Sequence, residues 1–141
     1  RQWWQVASQQ DKAIVAIADE PAPPFPGWTA FRTQVDGLAA LPEEWRAILT
    51  AARGVYLLVL RRNGQQYIGS AIGAGGFLSR WTSYAADGHG GNVMLRGNKP
   101  EDYDVCVIEA ASSSATDADI LALEAAWKAK LGSRAFGLNA N

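Results

Sequence analysis

The sequence predicts an α+β domain, a small antiparallel three-stranded sheet flanked by helices and preceded by an N-terminal extension. Three observations lead there. The elements read in the order helix, β-hairpin, helix, strand, helix, and the economical arrangement of that order is an antiparallel sheet with helices packed on it. A continuous apolar run from Val55 to Leu60 meets Arg61-Arg62-Asn63-Gly64 and returns through Gln65 to Ile68, a hairpin signature. With 141 residues, 48% hydrophobic and 19% charged, the chain suits one folded domain around one core.

Each element has a local reason. Residues 1–20 hold short β-like pieces, Trp3 to Val6 and Ala13 to Ala18, without a clear period. "PAPPFPGW", 21–28, must be extended loop and is the only plausible linker. "LPEEWRAILTAA", 41–52, reads as a helix: Pro42 suits its first position, Glu43 and Glu44 favour its N-terminal dipole, and Trp45, Ile48 and Leu49 form an apolar stripe. After the hairpin, glycines make a loop, and Phe77 to Ala86 read as a helix that stops at Gly88. "DVCVIEA", 104–110, is a third strand. Asp117 to Leu131 form the last helix, stopped by Gly132. The chain thus divides into an extension over 1–50 (short strands, Pro-rich loop, helix) and a main unit over 53–141.

Composition excludes several chemistries. Cys106 is the lone cysteine and His89 the lone histidine, which rules out an internal disulfide, a Cys-based zinc cluster and a His-rich metal site. The apolar runs are too short to span a bilayer, so no membrane partner is expected. No basic-then-apolar leader follows Arg1, which favours a cytoplasmic chain, although the missing Met leaves room for a lost upstream segment. Net charge is −1, yet residues 51–100 carry Arg53, Arg61, Arg62, Arg80, Arg96 and Lys99 against Asp87 alone. A basic middle between acidic flanks can form a positive face despite a neutral total. The glycines at 69–76 are no P-loop, since Gly-Lys-Ser/Thr is missing and no lysine occurs between 13 and 98.

Two tyrosines sit oddly in the hairpin. With Asn63-Gly64 as a two-residue turn, Leu60 faces Tyr67; with a four-residue loop over 61–64, Leu58 faces Tyr67. Both registers put Tyr56 and Tyr67 on one face. Only the second brings them within about 7–8 Å on a diagonal, so phenols that address one atom require the four-residue loop. On the next helix, Phe77, Arg80 and Tyr84 share one face, while Leu78, Trp81 and Ala85 form the stripe expected to pack on the core. On the last helix, Leu121, Glu124, Trp127 and Leu131 read as a core-facing stripe. A carboxylate there is costly without a cation or metal beside it.

"GVY" followed eleven residues later by "YIG" resembles the signature of the GIY-YIG nuclease family, with Val55 in place of Ile. The likeness extends to the family's helix arginine (Arg80 in "FLSRWTSY"), its metal-binding glutamate (Glu124 in "EAAW") and its late asparagine (Asn139 in "GLN"). The "GHGGN" segment resembles one that carries a histidine near the family's site, which fits His89. Gly69 completes "YIG". The resemblance covers about 53–141 and implies a GIY-YIG domain there.

It further implies hydrolysis of a nucleic-acid phosphodiester, DNA favoured, assisted by a single Mg²⁺ or Mn²⁺ on Glu124. One convincing carboxylate near the site suits one ion rather than two. Arg80 would stabilise the transition-state charge. Tyr56 would be the general base and Tyr67 would position water or phosphate. A basic phenol at neutral pH needs cations nearby, for which Arg80, the metal and the basic middle are the candidates. His89 is an alternative base or relay, Tyr84 a phosphate contact, and Asn139 an orienting residue. Arg61, Arg62, Arg96 and Lys99 are the expected nucleic-acid contacts. The extension serves as packing or, through Trp3, Trp4, Trp28 and Arg32, as a stacking surface. The alternative is a catalytically silent nucleic-acid-binding module with the same fold.

Overall fold

The computed structural model describes residues 22–140. The β-like pieces read near the N-terminus, with Trp3 and Trp4, lie outside the described residues. The observed class is α+β, with a sheet of four antiparallel strands rather than three. The strands are β1 (Arg32–Gln34), β2 (Gly54–Leu60), β3 (Gln66–Ala71) and β4 (Tyr103–Ala110), in the spatial order β1-β4-β2-β3. The added strand is β1, which pairs Arg32 with Cys106 and Gln34 with Asp104. Three residues are too few to display a two-residue period, so tertiary pairing alone makes this strand.

The helices are α1 (Glu43–Ala51), α2 (Gly76–Asp87), α3 (Asp117–Leu131) and the one-turn α4 (Ser133–Phe136). Pro42 caps α1 with extended ψ instead of opening it as its first helical residue. Thr116 and Asp119 form a reciprocal capping box that starts α3, each side chain bonding the other's backbone N–H. Gly88 and Gly132 close α2 and α3 in the left-handed conformation. The glycine run before α2 serves close approach: a Cβ on Gly76, at φ +60°, would strike the last carbonyls of α1.

The hairpin adopts the four-residue loop. Leu58 lies opposite Tyr67 and Tyr56 opposite Gly69. Leu60 N–H bonds Gln65 C=O at 2.8 Å, and Gly64 N–H bonds Leu60 C=O at 2.7 Å. Alternation then sends Tyr56, Leu58, Leu60 and Tyr67 to one face, with Tyr103, Val105 and Val107 of β4 beside them.

That face carries the core. Leu49, Phe77, Trp81, Tyr84, Phe31, Val35 and Leu38 pack on it. On α2 the buried side chains beyond Gly76 are Phe77, Trp81 and Tyr84, at i, i+4 and i+7. Of the stripe expected to face the core, Leu78, Trp81 and Ala85, only Trp81 is fully buried, and Phe77 and Tyr84 from the Arg80 face take the places of Leu78 and Ala85, which are only partly buried. Bulk decides it, since three rings bury far more apolar surface than Leu and Ala. The described part of the extension joins the same core. Phe25 packs against Trp28, Phe31 and Trp45 at centroid distances of 5.1, 5.3 and 5.9 Å, and Trp45 donates to the Pro23 carbonyl. The other face of the sheet is covered by α3, which packs against β3 and β2 where Val55, Ile68 and Ile120 are buried. Among the described residues no helix is long and apolar enough to cross a membrane.

Candidate active site

The core face of the hairpin holds three phenols in one hydrogen-bonded cluster. Tyr56 projects from the middle of β2 across Gly69, where a Cβ would collide with the phenol; glycine at this position gives the ring its place. Its hydroxyl meets that of Tyr84 on α2 at 2.7 Å. Tyr84 also accepts from Arg80 at 3.2 Å and from the Asn92 amide at 3.0 Å. Two donors fill the acceptor positions of a phenol oxygen, so the Tyr84 proton points to Tyr56. Tyr67 donates to the Asn92 carbonyl oxygen at 2.8 Å. Asn92 therefore links Tyr67 to Tyr84, and its amide is held by the His89 carbonyl at 3.2 Å. Arg80 lies over the Tyr84 ring, 4.9 Å from its centroid, and bonds Ser83.

The electrostatics of this cluster run against one expectation. Burial pushes the Tyr56 phenol well above its ordinary value, and the Arg80 charge opposes the shift without reversing it. Tyr84 and Tyr67 move up for the same first reason, with the neighbouring phenols adding to it. Burial disfavours the Arg80 charge too, but the three phenols outweigh that and raise its pKa. The phenols are thus neutral in this state, not poised as phenolates, because desolvation of an anion exceeds the attraction of one half-buried cation. Access differs among them: Tyr56 and Tyr84 are fully buried, and Tyr67 is 8% exposed.

Glu124 does not join the phenols from their own side. Its partner is Ser70, whose hydroxyl donates to Oε1, and Ser70 alternates with Tyr67 and Gly69 to the opposite face of β3. Oε2 is paired with Lys128 Nζ at 2.7 Å, one helical turn on. The stripe read for this helix is displaced accordingly: Leu121 and Leu131 are exposed, while Ile120 and Lys128 are buried. The two sides still meet at the edge strand. Ser70 and Arg80 line one open groove of about 310 Å³ with Gly73, Gly76 and Ser79. Glu124 and Arg80 also both act on the Tyr67 phenol, the first raising its pKa and the second lowering it.

Asn139 sits where β3 would otherwise present a bare edge. Its side chain accepts from Ile68 N–H at 2.8 Å and donates to Ile68 C=O at 2.9 Å, while Leu138 N–H bonds Gln66 C=O. It stands in for a neighbouring strand and fixes the backbone between Tyr67 and Gly69. His89 is not brought onto the phenols. Its Nδ1 accepts from Gly91 N–H at 2.9 Å, its Nε2 lies 3.8 Å from Asp87, and its carbonyl rather than its ring supports Asn92.

The basic middle is less basic in space than along the chain. Arg53 pairs with Asp117 at 3.6 Å and Arg61 with Asp104 at 3.8 Å. Arg62 donates to Asn98, and a groove at the hairpin tip is lined by Arg61, Arg62, Glu101 and Asp102. Antiparallel pairing of β4 with β2 sets the acidic residues of 101–104 beside the hairpin arginines. Arg96 and Lys99 are both exposed.

Three residues of the site escaped the sequence reading. Asn92 closes the "GHGGN" segment, in which the histidine carries the only recognisable signal. Lys128 stands four residues after Glu124, a spacing that signals a helical ion pair. Ser70 carried no signal until alternation along β3 was fixed. Among the described residues no three His, Cys, Asp or Glu side chains could hold a metal together. A carboxylate offers about four lone-pair sites, so Ser70 and Lys128 need not exhaust Glu124, and the donor set fits one ion held by one carboxylate. No family model, curated protein or solved structure matches this chain.

Proposed function

We propose that the protein is a metal-dependent endonuclease of the GIY-YIG type, acting on nucleic acid in the cytoplasm, with DNA as the favoured substrate. The observation that carries this reading is the convergence at one strand edge of Tyr56, Tyr67, Tyr84 and Arg80, with Ser70 of the Glu124 pair lining the same groove as Arg80. Such a cluster binds and stabilises an anion. Arg80 is the phosphate-facing cation, held by Tyr84 and Ser83 so that its charge is fixed before the transition state forms.

Access assigns the phenols. Tyr67, the least buried, takes the position facing water and phosphate, with its hydroxyl aligned by Asn92. Tyr56, sealed behind Tyr84, acts through Tyr84 as a positioning residue. This reverses the order in which the resemblance ranks Tyr56 and Tyr67. Glu124, aligned by Ser70, would hold the single Mg²⁺ or Mn²⁺, which when bound supplies Lewis-acid stabilisation of phosphate charge.

The silent binding module is the second reading. It is favoured by the Glu124–Lys128 pair, which already neutralises the carboxylate, and by the sealed phenols. One experiment decides between them. The protein is incubated with Mg²⁺ or Mn²⁺ and labelled single- and double-stranded DNA and RNA, beside Glu124→Gln, which keeps the Ser70 bond. Cleavage of DNA by the parent protein and its loss to background in the variant is the expected outcome. Binding without cleavage in both establishes the silent module, and neither binding nor cleavage ends the nuclease reading.

A further inference from the structure

Lys128 is the buried charge that the proposed reaction leaves unused. Its side chain is 7% exposed and that of Glu124 15%, and the two meet at 2.7 Å. A buried ammonium and carboxylate are each costly alone and tolerable together. The pair runs from Glu to Lys at i, i+4, the favourable direction on a helix. We infer that Lys128 is the built-in counter-ion of Glu124 in the metal-free protein and competes with the divalent ion for this carboxylate, so that it sets how much metal the site requires. This inference rests on the metal-dependent reading above.

The physical grounds are the geometry and the nature of the two cations. A divalent ion must come within about 2.0–2.2 Å of a carboxylate oxygen. Lys128 already occupies the approach to Oε2, and Ser70 holds Oε1. Two cations on one carboxylate repel, and at a few ångströms in a partly wet site that repulsion weakens metal binding by about tenfold or more. Lysine suits the role, because its charge is compact, strongly hydrated and carried on a flexible stem that can withdraw. Ser70 then keeps the carboxylate aligned when the ammonium leaves. The result is a carboxylate that stays charged and ordered before metal arrives, at the expense of metal affinity.

The test is a calorimetric titration of Mn²⁺ into the whole protein without nucleic acid, for the parent, Lys128→Met, Lys128→Gln and Lys128→Arg. The expected result is about tenfold or greater tightening in the two uncharged variants and near-parental affinity in Lys128→Arg. Unchanged or weaker binding in an uncharged variant with a parental circular dichroism spectrum overturns the inference alone. Absence of Mn²⁺ binding by parent and variants overturns it together with the metal-dependent reading. A second measurement needs no variant. Amine acylation mapped by mass spectrometry should find Lys128 protected in the metal-free protein and several-fold more reactive with saturating Mn²⁺, and equal protection in both states overturns the inference.

Discussion

The two faces of β3 handle polar groups in opposite ways. On the core face, Tyr56, Tyr67 and Tyr84 are sealed by aromatic packing and stay neutral, with hydroxyls satisfied by one another, Arg80 and Asn92. On the α3 face, Glu124 keeps a charged partner, Lys128, and the hydroxyl of half-buried Ser70. A neutral phenol can be buried if hydrogen-bonded, whereas a carboxylate needs a cation or water. The sheet therefore keeps the phenol–Arg80 cluster apart from the Glu124–Lys128 pair, and the two sides meet at the edge, where Ser70 and Arg80 line one groove.

The strongest way to break this comparison is to remove the cation that bonds the phenol cluster. Arg80→Ala should lower kcat by about 10²–10³-fold, the usual cost of losing a transition-state donor, with a much smaller change in nucleic-acid affinity. Single-turnover kinetics beside equilibrium binding check it; a loss confined to affinity would make Arg80 a docking charge. A sharper comparison sets the phenols against each other. Tyr67→Phe should cost about 10²-fold in kcat, the lower range for a proton-transfer group, and Tyr56→Phe clearly less. Equal losses, or a larger one from Tyr56→Phe, would return the base to Tyr56. The smallest effect is on stability. The buried phenols have pKa values above the ordinary value near 10, so as pH rises past 10 the unfolded chain loses protons before the folded one. Stability is then full below pH 10 and falls above it. Thermal melts from pH 8 to 11 should show Tm dropping by several degrees in the parent and less in Tyr56→Phe.

The charge distribution shows why linear reading stopped short of the surface. Six basic residues against one acidic residue suggested a positive face over 51–100. Strand pairing then placed Asp104 beside Arg61, and the start of α3 placed Asp117 beside Arg53. Partly exposed pairs of this kind contribute little to stability, yet they set a negative charge beside Arg61, on which the nucleic-acid expectation partly stood.

The sequence by itself determined what short-range chemistry controls. It specified the span of α3 from Asp117 to Leu131, the stops at Gly88 and Gly132, and the strands of the hairpin. The requirement that Tyr56 and Tyr67 converge even selected the four-residue loop. Tertiary structure alone decided the rest: the fourth strand, the burial that keeps the phenols neutral, the face of β3 that Glu124 occupies, and Lys128 as its partner. The reason is physical. Periodicity, capping and turn chemistry act over a few residues and are written locally, whereas burial and the side of a sheet on which a helix lands depend on every element packed around them. The loop over 111–116 carries α3 to the far face, and nothing in the spacing of its residues records that path.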